Sequence, residues 1–174
     1  MQGCSLLRVK VRPGCPWRGW LLVAGRAIPI ALGRSGIRAN KREGDGATPR
    51  GVFHPVRVWW RADRGPRPRT ALPIRRIRPT DAWCEDPGDR RYNRPIAIRP
   101  DGAGDRLWRK DHLYDLIVEL DHNARPRIAG RGSAVFVHVA RPGFGATAGC
   151  VALRSADLRR LVARLGPRSR IWIQ

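Results

Sequence analysis

The chain has 174 residues, 35 of them Lys or Arg against 14 Asp or Glu, for a formal net charge of +21, and its hydrophobic fraction of 42% is that of a globular protein. Its length suits one domain, residues 1–174, with a sizeable core. No apolar run is long enough for a membrane-spanning helix, and no Cys/His spacing is of the zinc-binding type, so neither a metal nor a cofactor is implied.

The charge admits three readings. Only Lys10, Lys41 and Lys110 are lysines, so a compositional bias toward arginine accounts for much of it. A basic surface would also concentrate the protein on a polymer bearing carboxylates. The third reading is a nucleic-acid module that neutralises phosphates. The arginines are spread along the chain without a block of five or six, which does not favour a nucleic-acid tail.

In chain order, Leu7, Val9 and Val11 alternate with Arg8, Lys10 and Arg12, the period of a strand with one buried face. Pro13-Gly14 ends it. Trp20–Val23 reads as a second strand, and Gly25-Arg26 as the turn into a third, Ala27–Leu32, which makes a hairpin. Pro29 places that third strand at an edge or a bulge. Residues 33–51 form a polar, glycine-rich loop, which either packs beside a cleft or makes surface turns. Val52–Trp60 reads as one strand, with His54 on it as a second candidate base. Arg61–Pro100 is the least regular part, with short strands expected near Leu72-Pro73-Ile74 and Trp83-Cys84. Tyr92 and Asn93 either line a cleft or pack. Leu113–Leu120 reads as a strand with Tyr114, Leu116, Val118 and Leu120 on one face. Ser155 is a suitable helix N-cap with Asp157 in the first turn. Leu158, Leu161, Val162 and Leu165 form an apolar stripe at helical spacing, and Gly166-Pro167 closes the helix. Ile171–Ile173 is a last strand. Most of the seven tryptophans are expected in the core or lining a groove.

The stretch that carries chemistry is Ser133–Leu153. Ala134–Val139 is apolar and β-branched, as in a buried strand, and delivers His138 near its end. A Pro/Gly-rich connector containing Arg141 follows, then Thr147-Ala148-Gly149 and Cys150, where a second apolar run begins. A thiol beside an imidazole can become a nucleophilic thiolate. Gly149 allows close approach of backbone to substrate, and the N–H groups near Gly149 and Cys150 could hold an oxyanion. The alternative is that Cys150 is a small buried apolar residue and His138 a satisfied core group.

The strand-borne histidine, glycine-rich loop and Gly-Cys-hydrophobic turn resemble the catalytic motif of the L,D-transpeptidases, the YkuD-type domain. Lys41 through Gly51, with Gly44-Asp45 and Thr48-Pro49, resembles a further segment of that family. Asp86-Pro87, Tyr92-Asn93, Leu107-Trp108-Arg109, Asp111 and Leu113-Tyr114 are similar to one compact subgroup. Many members read Ser-His-Gly-Cys where this chain has Thr147-Ala148-Gly149-Cys150, so a second histidine is absent. Many carry Arg or Asn where this chain has Ala152.

The resemblance implies a mainly β, sandwich-like catalytic domain with one C-terminal helix. It implies a cysteine thioester enzyme that cross-links peptidoglycan stem peptides, donor and acceptor, and that carbapenems inactivate. His138 and Cys150 are then catalytic, with the imidazole held by a backbone carbonyl such as that of Val139. Tyr114, Arg141 and Thr147 are candidate substrate contacts. Three other readings stand beside it. An L,D-carboxypeptidase or endopeptidase would use the same Cys-His site, a nucleic-acid module would use the charge alone, and a wall-binding domain would bind without turnover. The expected location is the periplasm or cell envelope. The start of the sequence lacks a basic region followed by a long apolar stretch, so export would depend on a leader outside this sequence or an unconventional route. Four cysteines allow several disulfides, among them Cys4–Cys15.

Overall fold

A computed structural model describes residues 6–98, 102 and 104–174. Its strands are β1 (Leu6–Arg12), β2 (Cys15–Val23), β3 (Arg26–Ala31), β4 (Ile37–Arg38), β5 (Thr48–Pro49), β6 (Gly51–Phe53), β7 (Pro55–Trp60) and β8 (Ile74–Arg76). They continue as β9 (Asp81–Trp83), β10 (Pro95–Ala97), β11 (Asp105–Arg106), β12 (Leu116–Leu120), β13 (Phe136–Val139), β14 (Val151–Leu153) and β15 (Arg170–Ile173). The α-helix, α1, is Ser155–Val162.

Ten of the strands form one mixed sheet in the order β6-β15-β1-β2-β3-β14-β13-β12-β7-β8. β6 and β7 follow each other with only His54 between them, yet they lie near opposite ends of that order. The sheet must therefore curl until its ends approach, and the space inside is the core. One apolar cluster accordingly joins Leu7, Val9, Ile171 and Ile173 from one end to Val58, Leu116 and Val118 from the other, with Leu158, Leu161 and Val162 of α1. The sandwich-like β fold is thus one sheet folded over a shared core. A second cluster, on the opposite face of β12 and β13, contains Trp59, Trp83, Leu107, Tyr114, Ile117, Phe136 and Cys150.

Local chemistry explains the main turns. Ala24 and Gly25 both have positive φ, at 47° and 74°, the conformation of a two-residue hairpin turn of the primed type. Pro29 sits within β3, paired to Trp20, while β14 meets β3 only at Ala31. The missing N–H of Pro29 therefore faces no ladder partner, as for an edge.

Several expectations are revised. The single strand over residues 52–60 is two strands broken at His54. Tyr114 does not share a face with Leu116, Val118 and Leu120. β12 begins at Leu116, and a turn in which His112 has φ 65° puts Tyr114 into the second cluster beside Ile117. The helix N-cap is Arg154, without a side-chain cap, so Ser155 is the first helical residue, and Asp157 does fall in the first turn. Of the tryptophans, Trp59 and Trp83 are buried, whereas Trp17, Trp20 and Trp172 are exposed. The pairing Cys4–Cys15 involves Cys4, which lies outside the described residues.

Candidate active site

β13 and β14 run parallel, with Val137 opposite Val151 and His138 opposite Ala152. Alternation along each strand then sorts the side chains. Val135, Val137, Val151 and Leu153 enter the main core, while Phe136, His138, Cys150 and Ala152 turn to the other face. Cys150 precedes Val151 and so comes level with Phe136, whose N–H donates to Cys150 Sγ at 3.4 Å. The thiol in turn donates to the Ala134 carbonyl at 3.1 Å. His138 lies two residues further along the same strand, and its Nδ1 donates to the Val139 carbonyl at 2.8 Å. That bond fixes the tautomer and leaves Nε2 free to accept a proton.

Both side chains line one cavity of about 390 Å³. Both are nearly covered, with Cys150 8% and His138 6% exposed. Burial lowers the His138 pKa to about 4, with the Val139 bond opposing and Arg109 contributing. Burial likewise pushes the Cys150 thiol up to about 12, with the Phe136 N–H opposing and Asp105 and Glu85 adding to the rise. The resting pair is therefore a neutral thiol and a neutral imidazole, not a standing thiolate. For such a pair, any use of the thiol as a nucleophile would require its proton to move as the new bond forms.

The turn before Cys150 is tied internally. Thr147 Oγ1 donates to the Cys150 carbonyl at 2.7 Å and accepts from the Gly149 N–H at 3.1 Å. Gly149 has φ 151°, and a Cβ there would stand 2.8 Å from the Ala47 carbonyl oxygen. Only glycine fits. Ala47 belongs to the 33–51 loop, so that loop does pack beside the cleft. Its Asp45 carboxylate accepts from Lys41 Nζ at 2.5 Å and from the Arg42 and Ala47 N–H groups, both at 2.8 Å. Lys41, Glu43 and Gly44 reach the cavity lining.

Tyr114 and Arg141 also line the cavity. The Tyr114 ring meets the His138 ring edge to face, centroids 5.4 Å apart, and its hydroxyl donates to Asp105 at 2.6 Å. Arg109 stacks over the same tyrosine at 5.0 Å and pairs with Asp105 and Asp111. Burial raises the Asp105 pKa, against Tyr114 and Arg109. Glu85 stands on the cavity wall, and the desolvation of its carboxyl group, with the Asp105 and Glu43 charges nearby, raises its pKa to about 7.

Other sequence candidates fall elsewhere. His54 is half exposed and pairs with Asp121 at 3.0 Å, and it does not line the cavity. Tyr92 donates to Glu43 and supports the wall from behind. Asn93 is buried, accepting from Trp83 Nε1 at 3.0 Å and donating to the His122 and Asn123 carbonyls. Asp105 and Glu85 escaped sequence reasoning because neither acid belongs to a recognisable local pattern, and only tertiary packing places them at the cavity.

Residues 18–173 match the family model of the L,D-transpeptidase catalytic domain, YkuD. Searches of curated proteins and of solved structures gave no match.

Proposed function

We propose that this chain, which belongs to the L,D-transpeptidase catalytic-domain (YkuD) family, is a peptidoglycan transpeptidase that joins stem peptides through a thioester on Cys150. The observation carrying this reading is the placement of His138 and Cys150 on the same face of two paired strands, lining one cavity.

The proposed steps follow from the tautomer and the neutral resting pair. His138 Nε2 takes the thiol proton as Sγ attacks the carbonyl of the third, diamino acid residue of a donor stem. The N–H groups of Cys150 and Gly149 hold the oxyanion, the latter shared with Thr147. Each such donor typically lowers the barrier by about 3 kcal/mol. The tetrahedral species collapses, the C–N bond breaks, and the imidazolium gives its proton to the departing D-alanine. An amine of a second stem then attacks the thioester and surrenders a proton to His138. The C–S bond breaks, and the thiolate recovers the proton. Arg141 is suited to a stem carboxylate. Thr147 and Tyr114 act more by holding the Cys150 turn and the His138 ring than by offering free donors, since both hydroxyl protons are already engaged. The substrate places this activity in the cell envelope. No helix among the described residues is long and apolar enough to cross a membrane.

The test begins with intact mass after exposure to a carbapenem. One adduct on the native protein and none on Cys150→Ala is expected. An unmodified native protein, or an equal adduct on the variant, would defeat the assignment. Purified muropeptides then identify the acceptor. Cross-linked dimers support transfer to an amine, and trimmed monomers alone would replace it with an L,D-carboxypeptidase or endopeptidase reaction at the same pair.

A further inference from the structure

The strands β6, β15, β1, β2 and β3 are adjacent in the sheet, and none of them contains an acidic residue. No Asp or Glu occurs anywhere in residues 1–42 or 158–174. The outward face of these strands is defined by register. Val52, Trp172, Arg8, Leu22 and Ala27 lie side by side across the sheet. Two residues along, Lys10, Trp20 and Pro29 form a second row. Alternation sends Leu7, Val9, Leu21, Ile171 and Ile173 into the core instead.

Three features on this face belong together. Trp20 is 38% and Trp172 36% exposed, although a tryptophan gains much by burial. The Arg8 guanidinium stands over the Trp172 ring at 5.4 Å, which keeps the cation at the surface rather than withdrawn into an ion pair. Arg8 and Arg26 flank an open depression of about 440 Å³ floored by Leu22 and Ala27. The backbones carrying the two indoles are two strand spacings and two residues apart, roughly 12 Å. Arg18, on β2, donates to the Gly143 carbonyl at 2.8 Å. Gly143 belongs to the loop whose Arg141 and Gly145 line the catalytic cavity, so the face runs on to that loop.

We infer that this outer sheet face is a docking surface for an anionic glycan polymer, the peptidoglycan strand itself. Flat sugar rings stack on Trp172 and Trp20, and the carboxylates of its stem peptides meet Arg8, Lys10 and Arg26. Charge complementarity carries the choice: strands that carry basic and no acidic side chains suit a polymer rich in carboxylates. Exposed indoles suit sugar faces. The choice of polymer rests on the proposed function above, but the surface does not.

The test uses sacculi stripped of attached polymers, with Cys150→Ala to prevent turnover. Co-sedimentation of this chain is expected. Adding Trp20→Ala with Trp172→Ala, or Arg8→Glu with Lys10→Glu, should weaken it about tenfold or more, as loss of central aromatic and cationic contacts does. These residues are exposed, and an unchanged melting temperature checks that the variants fold. In the Cys150 background the same pairs should react with a carbapenem at the native rate. Undiminished sacculus binding by both variants would overturn the inference. So would variants that lose binding to duplex DNA while keeping the sacculus, which would make the ligand a nucleic acid. Native acylation with unaltered sacculus binding would leave the enzyme reading intact and sink only the docking surface. Face-dependent binding without acylation would do the reverse.

Discussion

Two regions of this one sheet treat their arginines in opposite ways. Around β7, β8, β12 and the small sheet of β9–β11, many cations are matched: Arg57 with Glu119, Arg61 with Asp63, Arg64 with Asp115, Arg75 with Asp81, Arg109 with Asp105 and Asp111. The strands β6, β15, β1, β2 and β3 contain no acidic residue of their own. The cavity proposed as the active site lies on the paired side, where Asp105 and Arg109 brace Tyr114 against the His138 ring. A uniform bias toward arginine would raise the charge of both regions without sorting the acids. The segregation is what separates a face suited to capture from a cavity suited to chemistry.

The largest effect that would break this division comes from Cys150→Ala. Turnover should fall to background, a loss on the order of 10⁶ when nucleophile and base act as one unit, while sacculus binding stays. Steady-state rates and co-sedimentation on the same preparation check it. Loss of binding together with turnover would merge the two regions into one site. His138→Gln removes the base and should lower kcat about 10²- to 10⁴-fold, again without moving the binding curve.

Thr147→Val sharpens the comparison within the cavity. It removes the bonds to the Cys150 carbonyl and from the Gly149 N–H, at a cost of roughly 1–3 kcal/mol. It should depress kcat more than it raises KM, while Thr147→Ser restores most of the rate. Equal rates for Val and Ser would show that the hydroxyl does not hold the turn.

The smallest effect is on pH dependence. The ordinary histidine pKa is near 6.5, and burial takes His138 to about 4. Between those values the unfolded chain binds a proton that the native state does not. This histidine's contribution to stability is thus complete above pH about 6.5 and declines as pH falls toward 4. Melting temperature should drop more steeply over that window in the native protein than in His138→Gln. In the free enzyme the acid limb of kcat/KM should lie well below 6.5, because the imidazole remains a neutral base.

The same contrast explains what could be read from the sequence. The β1 pattern was legible because alternating Leu, Val and Arg reports one buried face directly. The Gly-Cys turn was legible because small residues between two apolar runs mark a turn, and the Val139 carbonyl was the expected partner of His138. The acids of the cavity were not, since Glu85 and Asp105 acquire meaning only when β9–β11 folds beside Tyr114. The strand break at His54 was hidden in a continuous β-favouring run, because nothing local says that Phe53 and Pro55 belong to distant parts of the sheet. Exposure of Trp20 and Trp172 contradicts the usual fate of that residue type, and only the pairing register reveals which side they take.

β15 has a consequence for biogenesis. Residues 170–173 slot between β6 and β1, pairing in parallel with one and antiparallel with the other. Until they are in place, β1 has an unpaired edge beside the hairpin and β6 has no neighbour in the sheet. Assembly of that half therefore waits for β15, with its arginines repelling stray contacts in the interval.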